Sequence, residues 1–275
     1  MNEMRSIAAG KSLAGYKERF AQYALDEAEL ERRQAEGRGL TVDQHRAEMA
    51  QDAEAGAGRQ PRTSLQIDGE IREQFGGSLA AMMFTSYTAT TGQEKDALKG
   101  AREWVNRYRA AAKDGKPRTP NGVIFHGPNG CGKTHLAVSM LRSVTDPRIS
   151  IRFANVPEFL AEMRDSFEDG PGSEGGLWLH RCKQADVLVL DDLGQERATP
   201  WVVDTLGALV FHRDRKGLPT IITTNLGLKE FADRADGAAN AAGVNLGAIY
   251  SRLRGQTQAN VFYLDGGDHR TEAGE

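Results

Sequence analysis

The segment 127–134 (GPNGCGKT) constrains this chain more than any other feature. It matches the pattern G-x-x-x-x-G-K-[ST] at each fixed position. The apolar run 122–125 predicts a strand before it, and a helix is predicted after it. In that setting glycines let the backbone wrap around a polyphosphate, and N–H groups at the helix N-terminus point at its oxygens. The sequence therefore predicts a nucleotide-binding phosphate loop, whose residues are Gly127, Pro128, Asn129, Gly130, Cys131, Gly132, Lys133 and Thr134.

Lys133 and Thr134 are the residues of the phosphate loop whose side chains would bind the phosphates and the metal ion. The Lys133 ammonium would neutralise the β- and γ-phosphates of a nucleoside triphosphate, and the Thr134 hydroxyl would hold Mg²⁺. A glycine-rich turn from strand to helix without a ligand is the alternative. The combination of pattern and setting favours the binding of a triphosphate, with ATP and Mg²⁺ as the expected ligands.

Length and composition limit the remaining classes of function. A chain of 275 residues has room for one α/β domain of roughly 180 residues and a smaller appendage. The net charge of −3 argues against a protein that coats nucleic acid through its overall charge. Its two cysteines, Cys131 and Cys182, form no Cys-x-x-Cys pair, which favours a reducing compartment over a zinc ribbon. With no apolar run of membrane length and no secretory core at the start, the sequence predicts a cytoplasmic protein.

Apolar strands alternate with amphipathic helices through most of the chain. This order predicts a parallel sheet covered by helices on both faces, which is an α/β fold with a five-stranded parallel sheet in a three-layer sandwich. The predicted strands are 122–126, 149–155, 187–190, 220–224 and 261–264. The predicted helices are 93–112, 134–144, 157–167, 177–182, 201–215 and 248–254, with a glycine-rich loop at 169–176.

The N-terminal part has a different composition. Residues 16–55 are rich in Glu, Arg, Gln and Ala and carry only a narrow apolar stripe, which indicates a small helical hairpin. It is either a solvated or partly disordered tail or a module that docks on a partner. We therefore predict a helical N-terminal arm and linker at 1–60, a connecting segment at 61–95 and an ATPase domain at 96–275.

Polar residues follow two further strands of the predicted sheet. Asp191 and Asp192 end the strand that begins at Val187, and Asn225 follows the strand 220–224. Ligands of a parallel sheet bind at the carboxyl ends of its strands. Asp191 would then hold Mg²⁺ through its water shell, Asp192 would orient the water that attacks the γ-phosphate, and Asn225 would bond that water or the phosphate. Simple strand-ending turns are the alternative for all three.

Basic residues cluster at two places, before the first predicted strand and at the end of the helix 201–215. Either cluster is a candidate contact for a phosphate backbone, with a solvated helix face as the alternative. The residues of the first cluster are Arg102, Arg107, Arg109, Lys113, Lys116 and Arg118; those of the second are His212, Arg213, Arg215 and Lys216.

Taken together, these motifs resemble the AAA+ ATPases of the DnaC/DnaI helicase-loader group, of which the transposition ATPase IstB is a relative. The resemblance covers about residues 80–272. It is carried by the Walker A segment 127–136 (GPNGCGKTHL) and by 189–194 (VLDDLG), 220–226 (TIITTNL), 251–253 (SRL) and 268–270 (DHR). It implies an AAA+ P-loop NTPase core that binds and hydrolyses Mg-ATP.

The resemblance also implies roles for single residues. Asp191 and Asp192 match the acidic pair of the group, and Asn225 matches its first sensor. Arg252 matches the arginine finger that reaches the ATP of a neighbouring subunit, with Arg254 as the competing candidate. Arg270 matches a terminal arginine that contacts the nucleotide, although His269 stands where the group usually has an aromatic residue.

The function implied is that of an ATP-dependent loader of a DnaB-type replicative helicase on single-stranded DNA, which self-associates through its ATP interface. Asp192 is one methylene shorter than the Glu of many AAA+ ATPases, so we expect slow turnover that depends on assembly. The alternatives are an IstB-like transposition helper ATPase and an ATP-gated DNA-binding module with little turnover.

Overall fold

A computed structural model gives the architecture of the chain. It describes residues 41, 43, 79, 81–113, 122–144, 149–168, 174–197, 199–235, 247–257 and 260–267. The described residues belong almost entirely to one compact unit, residues 59–164 and 178–275. The other unit, residues 1–58 and 165–177, is described only at residues 41 and 43 and at the helix ends 165–168 and 174–177. Apart from residues 41 and 43, the predicted N-terminal hairpin lies outside the described residues, and the predicted domain boundaries stay a prediction.

The described helices and strands alternate as the sequence predicts, with small shifts at their ends. In chain order they are α1 (Gly92–Lys113), β1 (Val123–His126), α2 (Lys133–Ser143), β2 (Ile151–Asn155), α3 (Val156–Glu168), α4 (Glu174–Gln184), β3 (Val187–Asp191), α5 (Pro200–Arg215), β4 (Thr220–Thr224), α6 (Leu228–Ala235), α7 (Gly247–Gln256) and β5 (Val261–Tyr263). Two predictions were wrong. The glycine-rich loop does not extend to residue 176, because α4 begins at Glu174, and the short helix α6 was not predicted at all.

The strands form one five-stranded sheet in the order β2-β3-β4-β1-β5, and each of its pairs is parallel. The fold class predicted from the sequence is therefore confirmed. In this order β3 and β4 lie between β2 and the strand that leads into the phosphate loop. The carboxyl ends of β1, β2, β3 and β4 consequently meet along one edge of the sheet, where Asn155 lies opposite Asp191 in the register.

Two hydrophobic clusters cover the faces of the sheet. Alternate strand residues divide between them: Phe125 and Val189 belong to the cluster that includes residues of α1 and α2, whereas Ile124 and Leu190 belong to the cluster that includes residues of α3, α5 and α7. Because successive strand residues point to opposite faces, this division shows helices packed on both sides. The unit is a three-layer sandwich with the sheet in the middle.

A capping box begins helix α1. The Glu94 carboxylate is fully buried and accepts from the backbone N–H of Thr91, while the Thr91 hydroxyl accepts from the backbone N–H of Glu94. The same Thr91 hydroxyl donates to Asp265, just after β5, at 2.6 Å. These contacts tie the start of α1 to the chain that leaves the sheet.

Arg213 is buried in the interior of the unit, although the sequence placed it in an exposed basic cluster. Its guanidinium donates to the carbonyl oxygens of Cys182, Ala185 and Pro219 and to the hydroxyl of Thr220. Burial lowers the pKa of Arg213 to about 9, so the side chain stays charged at neutral pH. The prediction that Arg213 is a candidate contact for DNA is wrong, because α5 turns this residue and His212 towards the protein interior.

Within the described ranges we find no helix that combines the length and the apolarity needed to cross a bilayer. The cytoplasmic location stays a prediction.

Candidate nucleotide-binding and hydrolysis site

The phosphate loop follows β1 directly and has backbone angles that require glycine. Gly127, Gly130 and Gly132 have φ of 147°, 79° and 87°, in a region that side chains rarely adopt. Space is equally limited, since a Cβ at Gly127 would lie 2.1 Å from the carbonyl oxygen of Leu264. Helix α2 starts at Lys133, and its N-cap is Gly132, which has no side chain to cap the first N–H groups. This end of the helix therefore presents backbone N–H groups that can donate hydrogen bonds to phosphate oxygens.

Lys133 lies folded over the loop. Its ammonium donates to the carbonyl oxygens of Gly127 and Pro128 at 3.0 and 2.6 Å, and only 5% of the residue is exposed. Burial lowers the pKa of Lys133, while the charges of Asp192 and Asp191 oppose that shift. The amine is thus held at the centre of the loop, where a phosphate chain wrapped by the loop would meet it.

Cys131 is a buried packing residue within the loop. Its thiol donates to the carbonyl oxygen of Pro128 at 3.0 Å, and burial raises its pKa. A buried thiol with a raised pKa is a poor nucleophile and a poor metal ligand. Position 131 therefore holds a small packing side chain rather than a reactive one.

Thr134 and Asp191 are brought together by the fold. The Thr134 hydroxyl donates to Asp191 Oδ1 at 2.8 Å, and the Thr223 hydroxyl donates to the same oxygen at 2.6 Å. Burial raises the pKa of the Asp191 carboxyl, and the hydrogen bonds from Thr223 and Thr134 counter that shift. A carboxylate beside a threonine hydroxyl is an oxygen pair of the type that Mg²⁺ prefers.

The described residues contain no cluster of three or more His, Cys, Asp or Glu side chains that would bind a metal by themselves. Mg²⁺ keeps several waters and is usually held by one or two protein oxygens together with substrate phosphates, which is what the hydroxyl and carboxylate oxygens described above can provide. Thr134 and Asp191 are the residues that would hold it here.

Asp192 occupies the turn directly after β3, with φ of 57°. Its backbone N–H donates to the Thr223 hydroxyl at 2.9 Å. Its carboxylate oxygen Oδ2 accepts from Asn155 Nδ2 at 3.4 Å. Asn155 was missed by the sequence analysis, although it ends a strand as Asp191 does. Its proximity to Asp192 follows from the pairing of β2 with β3.

Asn225 follows β4 along the chain. Its Oδ1 atom is buried, and it accepts no hydrogen bond from any residue that the structure describes. A buried acceptor without a donor costs free energy, so a donor such as a water molecule is expected there. This is the chemistry that a water-positioning residue needs.

The two predicted arginines have different outcomes. Arg252 lies on α7, where its side chain is 46% exposed and forms an ion pair with Asp214. Its guanidinium carbon is 4.9 Å from the centroid of the Phe211 ring. Both partners belong to α5, and the structure brings Arg252 into no hydrogen bond with the phosphate loop or the acidic pair. Arg270 lies outside the described residues.

The relatives found by sequence include helicase loaders and an ATP-binding protein of an insertion sequence of Mycobacterium tuberculosis, which is 32% identical over 103 residues, or 38% of this chain and 40% of that protein. The chain is 33% identical to the replicative helicase loader DnaI of Bacillus subtilis over 105 residues, which is 38% of this chain and 33% of DnaI. It is 26% identical to the replicative helicase loader DnaC of Escherichia coli K12 over 147 residues, which is 54% of this chain and 56% of DnaC. The matches thus span a third and about half of the length of these relatives.

Solved structures show the same fold. A crystal structure of DnaI covers 70% of this chain with a TM-score of 0.57 and 22% identity. A crystal structure of the DnaC helicase loader covers 67% of this chain with a TM-score of 0.53 and 24% identity. The replication initiator DnaA bound to AMPPCP and single-stranded DNA follows at a TM-score of 0.51 and 14% identity. At these identities the likeness shows the fold alone.

The family model described as "IstB-like ATP binding protein" matches residues 117–255, which is just over half of the chain. That match includes the phosphate loop, the acidic pair, Asn225 and Arg252. The chain therefore belongs to the IstB-like ATP-binding family.

Proposed function

We propose that this protein is an ATP-dependent loader of a replicative helicase, which binds and hydrolyses Mg-ATP to control loading on single-stranded DNA. The observation that carries the ATPase part is the contact of Thr134 with Asp191, because it joins the phosphate loop to the acidic strand at one edge of the sheet. The helicase partner is supported by two relatives, DnaI and DnaC, which are named replicative helicase loaders. A cytoplasmic location is part of this proposal.

The residues at the sheet edge divide the chemistry of hydrolysis among them. Mg²⁺, when bound at Thr134 and Asp191, neutralises charge on the phosphate oxygens. Lys133 and the N–H groups of the loop bind the phosphates. The Asp192 carboxylate, held by Asn155, orients the attacking water and accepts its proton, and Asn225 Oδ1 accepts a further hydrogen bond from that water.

Replacing Asp192 with asparagine is expected to lower kcat for ATP hydrolysis by about 10²–10⁴-fold, because the amide cannot take the proton of the water. Asparagine tolerates positive φ, so the turn should keep its shape. We expect ATP affinity to stay within about threefold of wild type, since Asp192 acts on the water rather than on the bound nucleotide. Phosphate release and binding of a fluorescent ATP analogue measure the two quantities.

Asp96→Asn, an exposed change on α1, is the matched control and should leave both quantities unaltered. If wild type and Asp192→Asn are equally inactive in phosphate release even with DNA and the helicase present, the ATP-gated DNA-binding module with little turnover is favoured. Equal release at a substantial rate would mean that Asp192 is not the base.

Single-stranded DNA is supported as a partner by an aromatic residue beside an arginine. The Arg164 guanidinium carbon lies 5.4 Å from the centroid of the Trp201 ring, and Trp201 is only partly buried, near the N-terminus of α5. Partly exposed aromatic rings beside cations are the surfaces on which single-stranded DNA stacks its bases. The net charge of −3 requires such local contacts, because the overall charge repels a phosphate backbone.

Replacing Trp201 with alanine is expected to weaken binding of a labelled oligothymidine by about 5–150-fold, since one stacked base contributes about 1–3 kcal/mol. Trp201→Phe keeps an aromatic surface and should lose much less. Fluorescence anisotropy at fixed salt measures the dissociation constants. If Trp201→Ala binds the oligonucleotide as wild type does, this ring is not a stacking site.

The IstB-like transposition helper is the second candidate, and the match to the IstB family model favours it. Affinity purification of the tagged protein with and without ATP separates the two. Co-elution of a hexameric helicase that depends on ATP supports the loader. Filament formation on duplex DNA together with a transposase supports the helper and would overturn the loader.

A further inference from the structure

The turn after β3 is held at Gly194 by contacts from several directions. Its backbone N–H donates to Glu196 Oε2 at 2.7 Å, and its carbonyl oxygen accepts from Arg234 Nη1 at 3.3 Å. Gly194 has φ of 99°, and a Cβ at this position would lie 2.6 Å from Leu226 Cδ1. Both backbone polar groups of this residue are therefore bonded by side chains, and its remaining face is closed by packing.

The two side chains that hold Gly194 meet again at Tyr250 on helix α7. The Tyr250 hydroxyl donates to Glu196 Oε1 at 3.4 Å and accepts from Arg234 Nη1 at 3.3 Å. The Arg234 guanidinium carbon also lies 5.8 Å from the Tyr250 ring centroid, and Tyr250 is fully buried. We refer to Glu196, Arg234 and Tyr250 as the turn clamp.

The turn clamp stands between two parts of the proposed hydrolysis machinery. Glu196 lies four residues after Asp192, and Tyr250 lies two residues before Arg252 on α7. Arg234 comes from α6, whose Phe231 packs edge-on against the Tyr250 ring at 4.7 Å between centroids. One short path of hydrogen bonds thus connects the turn after β3, which we call the acidic turn, to α7, the helix that carries the proposed arginine finger.

Packing alone does not account for these polar residues. Burial raises the pKa of Glu196, and the hydrogen bonds with Gly194 and Tyr250 counter that shift. An apolar side chain of similar volume would pack against the turn without bonding its backbone. The polar set provides direction instead, because its hydrogen bonds end on the backbone atoms of Gly194 and fix the orientation of the turn.

We propose that the turn clamp fixes the acidic turn to α7, so that the placement of Asp192 and the presentation of Arg252 are set together. Glu196, Arg234 and Tyr250 are then positioning residues for hydrolysis. This inference rests on the proposed ATPase function.

The test measures kcat and KM for ATP with the full chain in the presence of single-stranded DNA. Glu196→Ala is expected to lower kcat at least about tenfold with KM within about threefold, because a misplaced acid weakens the chemical step more than nucleotide binding. Glu196→Gln should rescue most of this loss, since its amide oxygen can still accept from the Gly194 N–H while its amide nitrogen donates to the Tyr250 hydroxyl. Glu103→Ala, an exposed change on α1, is the matched control and should behave as wild type.

Tyr250→Phe removes only a hydroxyl from the buried ring, so it decides the question even if Glu196→Ala does not fold. It should lower kcat about threefold or more, and the double variant Glu196→Ala/Tyr250→Phe should fall no further than Glu196→Ala, because both changes break one network. Unchanged kcat in Glu196→Ala and Tyr250→Phe, or losses that multiply independently, would overturn the clamp alone. A wild type that hydrolyses no ATP even with DNA and helicase present would overturn the proposed function and the clamp with it.

Discussion

Arg252→Ala is expected to lower kcat for ATP hydrolysis about 10³-fold or more while ATP affinity stays within about threefold. An arginine supplied to the γ-phosphate spreads the charge of the transition state, and its loss typically costs 10³–10⁵ in rate. The side chain is 46% exposed, and its described partners, Asp214 and Phe211, both lie on α5 of its own subunit. An exposed guanidinium of this kind is available to a neighbouring subunit, and its surface ion pair contributes little to stability.

A mixing experiment distinguishes a role in a neighbouring subunit from a role within the same chain. Asp192→Asn subunits keep the arginine but lose the proposed base, whereas Arg252→Ala subunits keep the base but lose the arginine. If Arg252 acts in trans, the mixture should regain activity that neither variant has alone, because an intact site forms wherever the two kinds of subunit adjoin. Phosphate release against mixing ratio measures this recovery.

Arg254→Ala is the matched control on the same helix. If it loses activity and Arg252→Ala does not, Arg254 is the trans-acting arginine and the assignment from the resemblance is wrong. Two poorly active variants that fail to complement each other in any ratio would contradict the trans arrangement itself.

The nucleotide side of the site follows from local sequence patterns. A glycine-rich loop between a strand and a helix fixes its own backbone, as the φ values of Gly127 and Gly132 show. That Thr134 and Asp191 lie at the same edge of the sheet needs only two further facts, that the strands are parallel and that their carboxyl ends share an edge. Their direct contact also depends on the order of the strands in space, in which only β4 separates β1 from β3.

The residues that the sequence analysis missed depend on information that is not local. Asn155 reaches Asp192 because β2 pairs with β3, and no spacing along the chain predicts which strands are neighbours. Glu196 and Arg234 both bond Gly194 and meet again at Tyr250, which lies more than fifty residues after Glu196. Local signals were also overlooked: Thr91-Gly92-Gln93-Glu94 has the spacing of a capping box and marks the start of α1.

Arg213 shows that a run of charged residues can suggest exposure wrongly when the helical spacing of the neighbouring apolar residues is not considered. It stands in a run of charged residues, His212 to Lys216, that suggests an exposed patch. However, Arg213 follows the apolar residues Leu206, Leu209 and Val210 at helical spacing, on the side of α5 that faces the core. The periodicity indicated burial, and the charge of the run concealed it.

Arg213→Met is therefore expected to destabilise the protein by about 3–5 kcal/mol, the loss typical of removing one partner from a buried charged network. The guanidinium joins the end of α4 to the start of β3 and the end of α5 to β4, through the carbonyl oxygens of Cys182, Ala185 and Pro219. Methionine fills a similar volume but donates nothing, so these carbonyl groups lose their guanidinium donor, at about 1–3 kcal/mol for each one left without a partner. The carbonyl oxygen of Pro219 keeps a longer hydrogen bond from Leu188 N–H, at 3.4 Å. The midpoint and slope of urea unfolding measure the change.

Arg215→Met, two residues further along α5 and exposed, is the matched control and should change stability by no more than about 0.5 kcal/mol. Arg213→Lys separates charge from geometry, because an ammonium keeps the charge but cannot reproduce the planar fork of donors that reaches the separate carbonyl groups. We expect it to lose nearly as much stability as Arg213→Met. A loss below about 1 kcal/mol in Arg213→Met would mean that the loops at the amino-terminal ends of β3 and β4 find other donors, and the role assigned to this buried arginine would then be wrong.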